Sequence, residues 1–419
     1  MQIVELDQLT LANWVRPGDT VVWGQAYAEP VPLSIALMAQ RHSIGPFQVF
    51  LGIAAYPTCQ PEHTDTAGFV SYCASGFNAR LFEAGCLEVL PLHYSWLGNA
   101  LNGGALRADV VMVQVASPDE DGLYSLSLAH EYLIPALHNA RVIIAEVNAQ
   151  APRLASPFRL SAGQISVAVH TDRAIAEPRA SAAGPVEQRI AQLIAERVPH
   201  GAVLQTGIGA IPDAALSALA HHRDLGVHSG SIGDGIVGLI KSGVVTNSRK
   251  DLDKGISVGG IFLGSAQSRR FAHDNALLSM RSSQYTHAAD VLASIDRFVS
   301  INSAIEVDLS GQVNAETIGA RYVGAVGGSL DFHRGAQQAR GGVPIIALPS
   351  MSKGQSRIVS ALNGPATLAR SDVGIIVTEH GAADLRGLSL DKRRERLLAI
   401  AEPMFRDQLA FESRAGRGG

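Results

Sequence analysis

Residues 202–219 read A-V-L-Q-T-G-I-G-A-I-P-D-A-A-L-S-A-L. An apolar run that ends in glycines, followed by a proline that opens an amphipathic segment, spells a buried strand, a tight turn and a helix. Proline is tolerated at that place because the first helical N–H has no intrahelical partner. Residues 20–37, T-V-V-W-G-Q-A-Y-A-E-P-V-P-L-S-I-A-L, repeat the pattern, with Pro30 falling on Pro212 and Leu37 on Leu219 at one constant offset. Working outward, near-continuous Val/Ile/Leu runs lie at 21–24, 49–53, 110–115 and 142–147, and again at 203–206, 298–301, 343–348 and 374–378. Runs without alternation belong to strands covered by helices on both faces, and hence to parallel α/β sheets. R-V-I-I-A (141–145) echoes V-P-I-I-A (343–347). The order and spacing predict a duplication: two similar α/β domains, 1–183 and 184–419. A Pro/Gly/Ala-rich linker is expected at 170–186, and a disordered tail at 412–419.

The bulk composition agrees. A chain of 419 residues exceeds one ordinary core, and 42 glycines against 5% aromatics suit many tight strand–helix turns. The formal charge of −4, with acids and bases mixed along the chain, excludes a nucleic-acid face and a polybasic membrane anchor. Cys59, Cys73 and Cys86 are too few and too scattered for a disulfide framework or a zinc knuckle, and are expected as reduced, buried thiols. The start, M-Q-I-V-E-L-D-Q-L-T, has no signal-peptide character, and apolar runs fall far short of the ~20 residues that span a bilayer. A cytoplasmic protein with no membrane or nucleic-acid partner is expected. The 14 histidines form no H-x-x-H or H-E-x-x-H pattern, so no metal site is expected.

The T-G-I-G turn of 206–209, at a helix start, offers approachable backbone N–H groups to phosphates or polarised carbonyls. It is not a dinucleotide fingerprint, because Pro212 stands where the third glycine would fall. Further blocks follow: H-S-G-S-I-G-D-G (228–235), I-N-S-A-I-E-V-D-L-S-G-Q-V (301–313), V-G-G-S-L-D-F-H-R-G-A (326–336), P-I-I-A-L-P-S (344–350) and V-T-E-H-G-A-A-D-L-R-G (377–387). Ordered and nearly continuous from 204 to 387, they resemble the acetyl-CoA hydrolase/transferase family, of the 4-hydroxybutyrate CoA-transferase type. The N-terminal half matches more loosely, through P-D-E-D-G (118–122), I-A-E-V-N (144–148), and Pro152 and Arg153.

The resemblance implies two CoA-transferase-type α/β domains with an active-site cleft between them. It implies that Gln205, Thr206, Gly207, Ile208 and Gly209, with Gly327 and Gly328, line the CoA thioester. The implied reaction moves CoA from an acyl-CoA of acetyl or succinyl type to a small acid of the 4-hydroxybutyrate, short-chain or itaconate type. It needs no cofactor beyond CoA and is carried out by a homo-oligomer. In the family a glutamate attacks the thioester and afterwards carries CoA itself, a covalent route that splits one hard exchange into easier steps.

This sequence departs from the family at the chemistry. Gly230 stands at the position of the nucleophilic Glu, Ser231 at that of Met, Ser329 at that of Gln, and His380 at that of Tyr. Several coordinated changes argue for natural divergence over a single engineered one. Either the nucleophile has moved, or the mechanism differs (direct transfer or acyl-CoA hydrolysis), or the chain binds acyl-CoA without turnover. Ser229 and Ser231 lack a G-x-S-x-G frame, and His228 and Asp234 occupy ordinary family positions with structural roles. If the halves are related, Gly52 corresponds roughly to Gly230, and the loop 54–66, A-A-Y-P-T-C-Q-P-E-H-T-D-T, faces the vacated site. On that reading Glu62 is the relocated nucleophile, Asp65 is its shorter competitor and Glu29 a second candidate.

Overall fold

The computed structural model describes residues 1–102, 105–178 and 183–415. Two sheets organise it. The first has eight strands: β1 (Gln2–Ile3), β2 (Thr20–Trp23), β3 (Phe47–Leu51), β4 (Ala67–Ser71), β5 (Glu88–Val89), β6 (Val110–Val115), β7 (Val142–Asn148) and β8 (Val167–Thr171). They lie in the order β1-β8-β7-β6-β2-β3-β4-β5, all parallel. The second sheet has six: β9 (Val203–Thr206), β10 (Gly226–Val227), β11 (Phe298–Ser303), β12 (Val343–Ala347), β13 (Ile375–Thr378) and β14 (Gly381–Asp384). Their order is β10-β9-β11-β12-β13-β14, parallel except for the β13–β14 hairpin at the edge. Strands β2, β6, β7 and β9 are buried along their whole length, as the absence of alternation predicted.

The halves repeat each other in topology as well as sequence. A bridge from His228 to Val258 carries the second sheet on to the parallel pair Ser257–Gly259 and Leu278–Met280. The series β8-β7-β6-β2-β3-β4-β5 therefore finds a counterpart, strand for strand, in β13-β12-β11-β9-β10 and that pair. The register fixes the equivalence: Val21 lies between Val49 and Val110, and Val203 between Gly226 and Phe298. Ser229 then answers to Gly52 and Gly230 to Ile53, one residue away from the equivalence expected above.

Several expectations need adjusting. The position expected for a boundary, 183/184, comes after β8 and before the helix Pro185–Ala195, and residues 179–182 of the expected linker lie outside the described residues. The tail is not wholly irregular: the helix Arg406–Ala415 runs through Glu412, and only 416–419 lie outside the described residues. Cys59 and Cys73 are buried, but Cys86 is half-buried. No helix among the described residues is long and apolar enough to cross a membrane.

The halves are stitched together along the C-terminal ends of their strands. Tyr94 N donates to Gly327 O (3.0 Å), and Ser95 donates through N and Oγ to the Asp331 carboxylate (3.0 and 2.7 Å). On the other side His130 N donates to Gly260 O, Phe262 N to Leu128 O and Ser283 N to Glu131 O. These bonds fix the segments that surround Gly230.

Candidate active site

Strand β9 ends at Thr206, and the glycine turn follows it directly. Gln205 is buried and exchanges two hydrogen bonds with the Asn302 amide (3.2 and 2.9 Å), while Thr206 N donates to Ser229 Oγ at 3.4 Å. Both residues brace the turn from within. Gly207 donates to Ile301 O (2.8 Å), and a Cβ there would stand 3.1 Å from Asn302 Oδ1. Gly209 has φ +123°, a conformation L side chains rarely adopt, and caps the helix Ala210–Ala218. Ile208 is 57% exposed. Of the five residues expected on CoA, the structure opens Gly207, Ile208 and Gly209 to a ligand and buries Gln205 and Thr206.

Gly327 (φ +55°) and Gly328 form the other turn, at the start of the helix Ser329–Gln338. A Cβ on Gly328 would come 2.5 Å from His287 Nε2, and one on Gly230 would stand 3.3 Å from His287 Cε1 and Nε2 and from Phe332. Packing by His287 thus demands glycine at 328 whether or not a ligand passes. Chain contacts join the two turns: Thr206 to Ser229, then Gly230, His287 and Gly328.

His287 is 4% exposed and lies between the rings of Tyr94 (4.9 Å) and Phe332 (4.4 Å). Burial, with a smaller push from His228, drops its pKa to about 3, so the ring is neutral. Behind Tyr94 lies a buried polar knot. Gln25 Nε2 donates to Tyr94 Oη (2.9 Å) and Glu131 Oε1 (2.7 Å), and Gln25 Oε1 accepts from Tyr72 Oη (2.7 Å) and Ile53 N (2.9 Å). Glu131 is 1% exposed, and burial lifts its carboxyl to about 7 against the pull of its hydrogen bonds. Its Cβ lies 3.2 Å from where a Cβ on Gly260 would be, and Gly260 N donates to Gly230 O (3.0 Å).

The residues singled out in the sequence distribute unevenly around this centre. Glu62 lies exposed in the short turn Pro61–Asp65, beside the helix Val31–Ile44, where its charge is felt by Arg41 and His63. The groups that meet Gly230 are His287 and Phe332, and Glu62 is not among them. Asp65 is held by Arg41, whose hydrogen bonds take its carboxyl down to about 2. Glu29 is buried and accepts from Ser34 Oγ (3.0 Å) and Thr58 Oγ1; burial raises it to about 7. His228 is buried with Nε2 on Thr286 O (3.2 Å), and Asp234 accepts from Ser265 N and Oγ and from Ser268, so both do structural work.

Sequence reading missed His287 and Glu131. Glu131 left a trace, a lone charge inside the apolar run 126–137, whereas His287 left none. It also missed a trio of ligand-type groups, Glu379, His380 and Glu402, whose polar atoms lie within 4.8 Å of one another. Ser350 Oγ donates to both glutamates (2.8 and 2.9 Å) and His380 Nε2 meets Glu402 at 3.1 Å, so hydrogen bonds account for the grouping.

Residues 6–163 match the acetyl-CoA hydrolase/transferase N-terminal domain and residues 264–413 the C-terminal domain. The 4-hydroxybutyrate coenzyme A transferase of Clostridium kluyveri is 35% identical, with 94% of this chain and 93% of that protein covered. The chain belongs to the acetyl-CoA hydrolase/transferase family. The butyryl-CoA:acetate CoA-transferase of Anaerostipes caccae is 33% identical over 94% of this chain and 92% of its own. Among solved structures, RipA from Yersinia pestis superposes with a TM-score of 0.93 at 31% identity, covering 99% of this chain and 98% of that one. The 4-hydroxybutyrate CoA-transferase from Porphyromonas gingivalis gives 0.84 at 31% identity and the same coverage. Gly327 and Gly328 lie inside the second matched segment, and residues 205–209 and Gly230 lie between the two.

Proposed function

We propose that this protein is an acyl-CoA:carboxylate CoA-transferase. It moves CoA from a donor of acetyl-CoA or succinyl-CoA type to a small carboxylic acid of the 4-hydroxybutyrate, short-chain or itaconate type. CoA is its one cofactor-like requirement, and the working form is a cytoplasmic homo-oligomer. What supports this reading is the 35% identity to a 4-hydroxybutyrate coenzyme A transferase over 94% of the chain, together with two glycine turns at helix starts, Gly207 and Gly209 before the helix Ala210–Ala218 and Gly327 and Gly328 before the helix Ser329–Gln338. Glycine turns at helix N-termini present N–H groups that hold a thioester carbonyl as negative charge develops on its oxygen. The exposed Ile208 offers an apolar contact to the pantetheine arm.

Acetyl-CoA or succinyl-CoA is incubated with a panel of small carboxylic acids and the products are separated by mass. Appearance of the acceptor's CoA ester is the expected result. Free CoA alone would replace transfer with hydrolysis. Binding without turnover would leave an acyl-CoA-binding protein. Replacing Ile208 by Asp should weaken acyl-CoA binding about tenfold, roughly 1.4 kcal/mol. Calorimetry checks this, and an unchanged affinity would remove the 205–209 turn from the CoA site.

A further inference from the structure

A glutamate nucleophile does two things: it takes the acyl group from CoA as an anhydride, and it then carries CoA as a thioester. Gly230 can do neither. What the structure places against the empty position is an imidazole. His287 Nε2 lies 3.3 Å from the Cβ that Gly230 lacks and 2.5 Å from the one that Gly328 lacks. No hydrogen bond among the described residues engages that nitrogen, while Nδ1 lies 2.8 Å from Thr286 Oγ1. The Thr286 hydroxyl donates onward to Ser282 O (3.3 Å), so its oxygen is left to accept from Nδ1–H. With the Thr286 hydroxyl donating to Ser282 O, the proton sits on Nδ1 and the lone pair on Nε2. The tilted rings of Tyr94 and Phe332, 4.9 and 4.4 Å away, pack against the imidazole.

We propose that His287 is the nucleophile of this chain, and that the enzyme carries the acyl group and never CoA. The inference rests on the transferase reading above. In the first step the Nε2 lone pair attacks the thioester carbonyl, the C–S bond breaks and CoA leaves as thiolate. An acyl-imidazolium remains, with its positive charge shared through Nδ1–H to Thr286. The acceptor carboxylate then attacks the acyl carbon, the C–N bond breaks, and a mixed anhydride forms beside a neutral His287. The retained CoA thiolate attacks the acceptor's carbonyl of that anhydride, and the donor acid departs as carboxylate. Atoms and charges balance with acyl-CoA and acid alone. Because imidazole forms no thioester with CoA, the thiolate must stay bound in the cleft throughout, held by the glycine turns.

The test uses the full-length protein, radiolabelled acetyl-CoA, and quenching in the absence of acceptor. The expected result is one equivalent of free thiol, with an acyl label that hydroxylamine removes and peptide mapping places on His287. Borohydride should reduce no glutamyl-CoA thioester. His287→Gln should lose transfer by about a thousandfold or more, in line with removal of other covalent catalysts, while calorimetric CoA affinity stays within threefold. Thr286→Val, which acts through His287, should cost about tenfold in kcat, with Thr286→Ser restoring it. A label on Glu62, Glu131 or any carboxylate would overturn the proposal. So would transfer with neither thiol release nor label, or near-normal transfer by a His287→Gln variant that still binds CoA. If instead the wild-type protein makes no new CoA ester with any acid tested, the transferase reading fails, and labelling of His287 is then judged on its own as the first step of hydrolysis.

Discussion

The two halves share a topology, yet the same place is plugged in one and open in the other. By the offset that lays Pro30 on Pro212, Gln25 answers to Gly207 and Glu29 to Ile211. In the first half the Gln25 side chain fills the space beyond the strand and binds Tyr72, Tyr94, Glu131 and Ile53. In the second half Gly207 carries no side chain, and the Asn302 amide, paired with Gln205, stands 3.1 Å from where its Cβ would be. A side chain and its network thus occupy the turn of the first half, while the turn of the second half, the proposed CoA site, is left exposed at Ile208 and Gly209. The difference lies in a single side chain and the network it satisfies.

Removing the plug should have the largest effect. Gln25→Leu leaves Tyr72 Oη and the other partners unpaired in a dry interior, and should lower stability on the order of 4 kcal/mol by urea unfolding. A loss below 1 kcal/mol would mean that the first half is not held by this knot. The glycines beside the two turns sharpen the contrast. A Cβ on Gly52 would meet Gln25 Oε1 at 2.6 Å and Tyr132 Oη at 2.7 Å, whereas one on Gly230 meets its nearest neighbours at 3.3 Å. Gly52→Ala should therefore cost about 2 kcal/mol, and Gly230→Ala under about 1 kcal/mol. Equal costs would break the comparison. Gly230→Glu should lower transfer, because its side chain must enter space that His287 and Phe332 restrict; a strong gain of activity would show that the family's nucleophile is simply missing.

The smallest effect is one of pH. Burial raises the Glu29 carboxyl from 4.5 to about 7, so the folded chain keeps a proton that the unfolded chain has lost. The stability this group permits is undiminished below about pH 4.5 and declines as pH rises towards 7. Its counterpart Ile211 contributes no such slope. Glu29→Gln keeps an acceptor for Ser34 and Thr58 and should flatten the decline by up to about 1.4 kcal/mol per pH unit. Glu131, shifted in the same direction, keeps a remaining slope. Thermal melts between pH 5 and 8 report the difference.

The residues alone specify where the strands run and that they pair in parallel. Residues 110–115 and 142–147 could be placed because burial on both faces writes itself as unbroken Val/Ile/Leu. The duplication could be placed because strand, glycine turn and proline recur in order, and family membership because its blocks run through 204–387. The missing carboxylate at Gly230 was equally legible, since an absent residue type needs no geometry. What would stand in for it was not. The expectation turned to Glu62 because sequence distance and residue type were the available guides, and the fold sets that residue on an exposed turn beside Arg41. His287 lies 57 positions from Gly230 in the chain, in a stretch with no periodic or motif signal. Only the tertiary structure brings its ring between Tyr94 and Phe332 and aims Nε2 at two absent Cβ atoms. A side chain's neighbours across a domain seam are set by packing among distant elements, and no local pattern encodes them.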